Sequence, residues 1–195
     1  MTRHISVMKL TDHELRKHYG LLLGLELPWQ VEEVNLDLEG KQVEIALVWS
    51  PGQKANCPVC GQACPLYDLA PQRTWRHLDT MQFQTIIGAR VPRVECPTDG
   101  VKTVAVPWAE PLGRFSRLFE RFAIDVLLCA RSVKSAAGLM GLSWDEVEHI
   151  LRRAVERGLS RRQLEGLIHL GIDEKSFMAG HSYISLLTDL DPQQV

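Results

Sequence analysis

The chain has 195 residues, of which 45% are hydrophobic and 24% are charged, and its formal net charge is −2 at pH 7. This length and composition are ordinary for one or two globular domains. No apolar run approaches the roughly 20 residues of a membrane span. The first residues carry no secretory signal, so a cytoplasmic location without membrane contact is expected.

The charges are divided unevenly along the chain. Residues 1–50 carry 5 basic and 8 acidic side chains, residues 111–165 carry 10 and 7, and residues 166–195 carry 1 and 4. Only residues 111–165 are clearly biased towards positive charge, which is a weak indication of a polyanionic partner. Solvated helix faces would give the same bias.

The first part of the chain is predicted to be rich in β-structure. Apolar residues at helical intervals predict a helix over residues 8–24. Strands are predicted over residues 31–38 and 43–49, which would form a hairpin. Three more are predicted over residues 74–78, 83–91 and 93–96. Residues 1–110 are therefore predicted to be a small β-rich domain that begins with one helix.

Helices are predicted after residue 110. The first spans residues 116–131, and its broad apolar face consists of Leu118, Phe119, Phe122, Ile124, Val126 and Leu127. Two more are predicted over residues 133–140 and 144–157, and Gly158 is predicted to end the last.

Three of the five cysteines, Cys57, Cys60 and Cys64, lie within eight residues of one another. In a cytoplasmic protein this spacing favours a metal over disulfide bonds. Two thiolates two residues apart, followed by a glycine, are typical of a zinc knuckle, because the glycine permits the tight turn. The same Cys-Pro-x-x-Gly frame recurs from Cys96, with Asp99 where a second cysteine or histidine is expected.

We therefore predict a structural zinc held by Cys57, Cys60 and Cys96, with Asp99 as the fourth ligand. Cys64 is an alternative fourth ligand, and His77 is an outside candidate. The remaining alternative is a degenerate site in which the cysteines are only buried thiols.

Residues 133–150 have the pattern of a helix-turn-helix. A small residue, Ala137, is followed four residues later by Gly141 in the predicted turn, and Val147 and Ile150 then fall on the inner face of the second helix. Ser143 and Glu146 form a capping-box pattern at the start of that helix.

Such a helix enters the major groove by its N-terminal half, and arginines further along suit phosphate contacts. Acidic residues at the base-reading end argue mildly against strong sequence readout. The predicted DNA contacts are Lys134, Ser143, Trp144, His149, Arg152, Arg153 and Arg157. A plain three-helix packing unit without nucleic acid is the alternative.

Two further strands are predicted near residue 195. The first, over residues 168–174, ends in the carboxylates Asp173 and Glu174, and the second, over residues 183–187, follows a turn at Gly180-His181. A carboxylate on a core strand is costly to bury unless it binds a cation or another partner. Asp173 is thus a candidate metal ligand, or else a plain carboxylate at the end of a strand.

Together these signals resemble an insertion-sequence transposase of the ISL3 type, a bacterial DDE family. The likeness rests on the following stretches: Cys57-Pro-Val-Cys-Gly61, Trp75-Arg-His-Leu-Asp79, Arg93-Val-Glu-Cys-Pro97, Val106-Pro-Trp-Ala109, and Gly171-Ile-Asp-Glu-Lys-Ser-Phe177 with Gly180-His181. It covers nearly the whole chain from about residue 20 onward.

The resemblance implies an α+β chain in three parts: a zinc-finger domain over residues 1–110, a helix-turn-helix domain over 111–165, and the first hairpin of a truncated ribonuclease-H-like domain over 166–195. Its partner would be double-stranded DNA at terminal inverted repeats, near the bacterial nucleoid, with a homodimer also possible.

The resemblance also implies that Asp173 is the first of three catalytic carboxylates that hold two magnesium ions. The second aspartate and the glutamate would lie beyond residue 195, so we expect this chain to bind DNA but not to catalyse transposition alone. A truncated regulator that represses transposition, or a zinc-stapled module for protein contacts, are the alternatives.

Overall fold

The computed structural model describes residues 11–161, 169–178 and 182–190. The chain divides into two compact units, Met1–Ile150 and Leu151–Val195. The fold is α+β, with a β-rich part followed by helices, as predicted. Within the described residues, no helix is both long enough and apolar enough to cross a membrane.

The first unit begins with helix α1, Asp12–Leu22. Thr11 and Glu14 form a reciprocal capping box at its start, which satisfies backbone N–H groups that the helix itself leaves without partners. The helix predicted over residues 8–24 is thus confirmed over Asp12–Leu22. Residues 8–10 lie outside the described residues. Tyr19 and Leu23 pack against the adjoining sheet.

A five-stranded mixed sheet forms the body of this unit. The strands in chain order are β1 Trp29–Asp37, β2 Gln42–Trp49, the short β3 Ala55–Asn56 and β4 Ala63–Cys64, β5 Leu66–Thr80, β6 Phe83–Cys96 and β7 Gly100–Thr103. The order in the large sheet is β1-β2-β6-β5, with β7 paired to β6, while β3 and β4 pair with each other. The predicted hairpin of β1 and β2 is confirmed, and the parallel pairing of β2 with β6 was not predicted.

Strand β6 corrects the predicted break between residues 91 and 93. The strand runs through Pro92, which pairs with Leu69 beside a register shift in β5. A proline has no N–H to donate to a ladder, and it is tolerated in strands where the pairing is irregular. Its carbonyl still accepts a hydrogen bond from the Val104 N–H at 2.9 Å.

Four tryptophans form the centre of the core. Trp108 packs edge-to-face on Trp29 and on Trp75, with ring centroids 4.8 and 5.5 Å apart, and Trp29 packs in the same way on Trp49 at 5.2 Å. Edge-to-face pairs at these distances add to the free energy of apolar burial. Because Trp108 lies in the segment after β7, this packing fixes that segment on the sheet.

Three helices follow: α2 Arg117–Cys129, α3 Val133–Met140 and α4 Trp144–Ser160. Two details differ from prediction. Helix α4 continues past Gly158 to Ser160, because Gly158 does not adopt the positive φ that ends helices. The predicted apolar face of α2 is narrower: Phe119 and Ala123 are buried, while Leu118 and Phe122 are exposed.

The sheet and α2 are joined by backbone hydrogen bonds. The Arg76 N–H donates to the Arg114 carbonyl, and the Ser116 N–H donates to the Arg76 carbonyl, both at 2.9 Å. The Arg76 guanidinium also lies over the Phe119 ring, 5.1 Å from its centroid. These contacts hold the start of α2 against β5 within the first unit.

The second unit contains a hairpin of β8, Leu170–Met178, and β9, Ser182–Asp189. Both strands were predicted, at slightly different bounds. Asp173 is exposed and pairs with Leu186 in the ladder. The predicted turn at Gly180-His181 and residue 168 lie outside the described residues.

Candidate metal centre and nucleic-acid interface

Two tight turns with the same backbone geometry carry the candidate metal ligands. The first follows the short strand β3 and precedes β4, with which β3 pairs. Its Gly61 has φ +75° and donates its N–H to the Cys57 carbonyl at 2.9 Å. The second joins β6 to β7, and its Gly100 has φ +73° and pairs with Cys96.

These turns bring together the four predicted ligands: Cys57, Cys60, Cys96 and Asp99, whose ligand atoms all lie within 4.8 Å of one another. The Asp99 Oδ2 lies 3.3 Å from the Cys57 sulfur and 3.4 Å from the Cys96 sulfur. The Cys60 and Cys96 sulfurs are 3.5 Å apart.

This spacing can be compared with a tetrahedral zinc. With zinc–sulfur bonds of about 2.3 Å and zinc–oxygen bonds of about 2.0 to 2.2 Å, tetrahedral ligands lie about 3.8 Å apart for two sulfurs and about 3.6 Å for sulfur and oxygen. The three distances given above lie within a few tenths of an ångström of these values, and the other pairs of ligand atoms lie within 4.8 Å of each other. The donor set and its geometry therefore suit a structural zinc ion.

The charges of the group also favour a cation. Hydrogen bonds from the Cys60 and Cys57 thiols lower the pKa of the Asp99 carboxyl. The Gln62 backbone lowers the pKa of Cys60, but hydrogen bonds with the Asp99 carboxylate and the Cys96 sulfur outweigh it, and this pKa rises to about 12. Without a cation the Cys60 thiol holds its proton, so metal binding must release that proton.

Neither alternative ligand belongs to the group of four, although Cys64 packs beside Cys57 and Cys96. Cys64 is buried, and its thiol donates to the Gln62 carbonyl at 3.3 Å, but its sulfur is not one of the four clustered ligand atoms. His77 lies on β5 beside the start of α2, and its Nδ1 is 2.7 Å from the Ser116 hydroxyl oxygen. Burial, and secondarily the Arg76 charge, lower the pKa of His77.

Helices α3 and α4 form the predicted helix-turn-helix. Gly141 ends α3 with φ +65°, and its N–H donates to carbonyls of the last turn of α3. Ala137, Met140, Val147 and Ile150 are all buried, and Met140 and Ile150 belong to one apolar cluster with Phe119 of α2. The Ser143 hydroxyl and N–H donate to the Glu146 carboxylate, and the Glu146 N–H donates back to the hydroxyl, so the predicted capping box is present.

The opposite side of this motif faces solvent. Lys134 on α3 is exposed, as are Trp144, His149 and Arg152 on α4, while Arg153 and Arg157 are half-buried. The exposed fraction of Trp144 is 63%, whereas the four core tryptophans are buried or half-buried. The Ser143 hydroxyl serves the capping box, which positions the first turn of α4.

Asp173, the candidate catalytic residue, is not part of a ligand cluster among the residues that the structure describes. Among the described residues, the one group of three or more metal-binding side chains is the cysteine and aspartate cluster of the two turns, and Asp173 is not in it. The described neighbours of Asp173 thus do not assemble a magnesium site.

The sequence did not indicate how α2 would be fixed. Glu120 is buried at an exposed fraction of 2%, although it is a carboxylate in the first turn of a helix. Ser116 is the N-cap of α2 and accepts from the Phe119 N–H at 3.2 Å. A serine just before an apolar helical repeat is an N-cap signal, and it would have identified this position.

Two family models match the chain. One, described as the zinc-finger of transposase IS204/IS1001/IS1096/IS1165, covers residues 53–99, which include all four clustered ligands. The other, described as the helix-turn-helix domain of transposase family ISL3, covers residues 104–155, which include α2 and α3 and most of α4.

Similar proteins include the transposase for insertion sequence element IS1557 of Mycobacterium tuberculosis, which is 34% identical over 181 residues, or 89% of this chain and 40% of that protein. The transposase for IS1001 of Bordetella parapertussis is 23% identical over 142 residues, or 71% and 34% of the two chains. The chain thus spans at most two fifths of the length of these relatives. No solved structure matches it. On its matched zinc-ribbon and helix-turn-helix regions, the chain belongs to the ISL3 family of insertion-sequence transposases.

Proposed function

We propose that this chain recognises the ends of an insertion sequence by binding double-stranded DNA at the terminal inverted repeats. The observation that carries the proposal is the helix-turn-helix of α3 and α4, in which one side is buried and the other is exposed. A helix held in this way can enter the major groove while its partner helix crosses the backbone. The relatives are named as transposases, which supports this assignment.

In this proposal the N-terminal half of α4 lies against base edges. Trp144 and His149 are exposed there and would contact bases. Lys134, Arg152, Arg153 and Arg157 would contact phosphates, which gives affinity without sequence information. Ser143 would contribute indirectly, because its hydroxyl caps α4 and so holds the first turn of the helix in the position from which it contacts DNA.

Zinc has a structural part in the proposal. Cys57, Cys60, Cys96 and Asp99 would hold it with no position left for substrate, and four protein ligands are typical of zinc ions that stabilise a fold. The ion would fix the two turns to each other. Strand β6 ends at the ligand Cys96 and pairs with β5, and β5 contacts the start of α2. An ordered ribbon therefore supports the position of α2 within the first unit.

The remaining parts of the proposal come from the family resemblance. Residues 1–110 would be the zinc-ribbon domain, residues 111–165 the DNA-binding domain, and residues 166–195 the start of a ribonuclease-H-like catalytic domain. Asp173 would be one of its magnesium-binding carboxylates. Two copies would bind the two ends of one element as a homodimer.

The proposal is tested by fluorescence anisotropy with a duplex of the terminal repeat that flanks the gene of this chain, and with a shuffled duplex of equal composition. We expect tighter binding to the repeat, and we expect the Arg152→Ala, Arg153→Ala double variant to lose roughly tenfold or more in affinity for both duplexes. Arg121→Ala, an exposed arginine on α2, is the matched control for charge. Equal, weak binding of all proteins to both duplexes would refute the proposal.

A further inference from the structure

Cys60 is the exposed member of a group of three sulfur ligands of which the other two are buried. It lies in the turn between β3 and β4, whereas Cys57 and Cys96 are each only 2% exposed. A cysteine that ligates zinc does so as a thiolate, and an exposed thiolate is the form of cysteine that peroxide oxidises most readily. Of these three sulfurs, an oxidant from solvent therefore reaches that of Cys60 first.

A second sulfur lies beside that of Cys60. The Cys96 sulfur, at the end of β6, is 3.5 Å away, although the two residues are 36 apart in sequence. A disulfide bond is about 2.0 Å long, so closing this pair requires an approach of about 1.5 Å. Because turns move more readily than strands, the turn that carries Cys60 can supply this movement.

We infer that the zinc ribbon is redox-sensitive: peroxide joins Cys60 to Cys96 in a disulfide bond, which expels the zinc and replaces it as the link between the two turns. The inference goes beyond DNA recognition, and it rests on the ligands that the proposed function assigns to zinc. Zinc and the disulfide are thus alternative links between the same two turns.

The reaction balances with hydrogen peroxide as the oxidant. The Cys60 thiolate attacks one peroxide oxygen, the O–O bond breaks and hydroxide leaves, so Cys60 becomes a sulfenic acid. The Cys96 thiolate then attacks the Cys60 sulfur, the S–O bond breaks and a second hydroxide leaves. Two protons from solvent convert the two hydroxides to water. Peroxide gains the two electrons that the two sulfurs lose.

The disulfide removes two of the four ligands at once. Cys57 and Asp99 remain, and two ligands do not complete the tetrahedral set of a structural zinc. The new bond still joins the two turns across 36 residues, so it restricts the unfolded chain by closing a loop. A disulfide between Cys57 and Cys60 would instead lie within one turn and would leave the two turns unlinked.

The two remaining cysteines supply the controls. Cys64 on β4 is buried and packs with Cys57 and Cys96 in one apolar cluster, so it is the competing partner for a disulfide. Cys129 is exposed at the end of α2 and is not among the clustered ligands, so it reports oxidation of an ordinary surface thiol.

The test treats the zinc-loaded, full 195-residue chain with hydrogen peroxide, blocks the remaining thiols with N-ethylmaleimide and maps disulfides by mass spectrometry. A chromogenic chelator measures the zinc released. Cys129→Ser and Cys64→Ala are treated in parallel. We expect a disulfide between Cys60 and Cys96 in all three proteins, with roughly one zinc ion released for each disulfide formed.

Thermal unfolding measures whether the disulfide replaces zinc as a link. The oxidised, zinc-free chain should have a higher thermal midpoint than the reduced, zinc-free chain, because the disulfide still joins the two turns. Dithiothreitol should abolish this difference, and dithiothreitol followed by zinc should restore the zinc-loaded protein.

Contrary outcomes are distinguishable. Zinc that stays bound under conditions that oxidise Cys129 would overturn the inference, as would a disulfide within the first turn, one that involves Cys64 or one that joins two chains. Absence of zinc from the untreated chain would instead refute the zinc ligands of the proposed function, and this inference with them.

Discussion

The Nδ1 atom of His77 on β5 lies 2.7 Å from the hydroxyl oxygen of Ser116, the N-cap of α2. The same hydroxyl oxygen accepts a hydrogen bond from the Phe119 N–H, so its own hydrogen can be donated to a neutral imidazole. One serine thus caps α2 and ties this helix to strand β5 of the sheet.

The contact predicts a pH dependence of stability. Burial lowers the pKa of His77 below its ordinary value of 6.5. The unfolded chain therefore binds the proton more tightly than the folded chain does. The contribution of His77 to the free energy of unfolding is fully present above about pH 6.5, and it is lost as the pH falls from there through the lower pKa of the folded state. Urea unfolding at about pH 7.5 and about pH 5.5 measures this loss.

His77→Asn is the control, because asparagine keeps a polar atom near the hydroxyl of Ser116 but does not titrate in this range. Any other group that takes up protons contributes equally to the pH dependence of the free energy of unfolding in the unsubstituted chain and in His77→Asn. We expect a smaller loss of stability between the two pH values for the variant. An equal loss in both proteins would show that His77 does not carry the effect.

The ligand assignment predicts that substituting Cys60 lowers the zinc content of the protein and that substituting Cys129 does not, although both cysteines are exposed. Elemental analysis should find one zinc per chain in the unsubstituted protein and in Cys129→Ser. Cys60→Ser should lose most of the metal, because it removes one of four ligands. Its thermal midpoint should fall by roughly 10 °C, since structural zinc contributes directly to folding. Equal zinc content in the two variants would contradict the ligand assignment.

A pair of glycines tests the turn of the helix-turn-helix. Gly141 has φ +65°, a conformation that is strained for alanine, whereas Gly138 lies inside α3. An added Cβ would meet no neighbouring atom within 4 Å at either position, so the backbone alone decides the outcome. Gly141→Ala should lower the free energy of unfolding by about 1 kcal/mol or more, and Gly138→Ala should raise it by about 0.5 to 1 kcal/mol. The same sign of change for both variants in urea unfolding would contradict this account.

The parts of the structure that follow local patterns could be predicted from the sequence. The Cys-Pro-x-x-Gly frame identified all four clustered ligands, because the same short-range turn geometry occurs twice. Gly141 and the Ser143 capping box were identified for the same reason. Within each turn the two ligands lie three residues apart, as do Ser143 and Glu146, and only the approach of the two turns joins distant residues.

The parts that depend on distant residues could not be predicted. The parallel pairing of β2 with β6 and the link between His77 and Ser116 join residues about 40 apart in sequence. The burial of Glu120 depends on tertiary packing, and no local pattern indicates it. Gly158 was a wrong helix end because a glycine ends a helix only where the backbone turns left-handed, and sequence does not show φ.

The central claim is that α4 enters the major groove of the DNA at the element ends. Dimethyl sulfate protection tests it directly, because this reagent methylates guanine N7 in the major groove and adenine N3 in the minor groove. We predict that the bound chain protects guanine N7 positions within the terminal repeat, and that Arg152→Ala with Arg153→Ala weakens this protection. Protection confined to adenine N3, or none on a duplex that is demonstrably bound, would contradict the account.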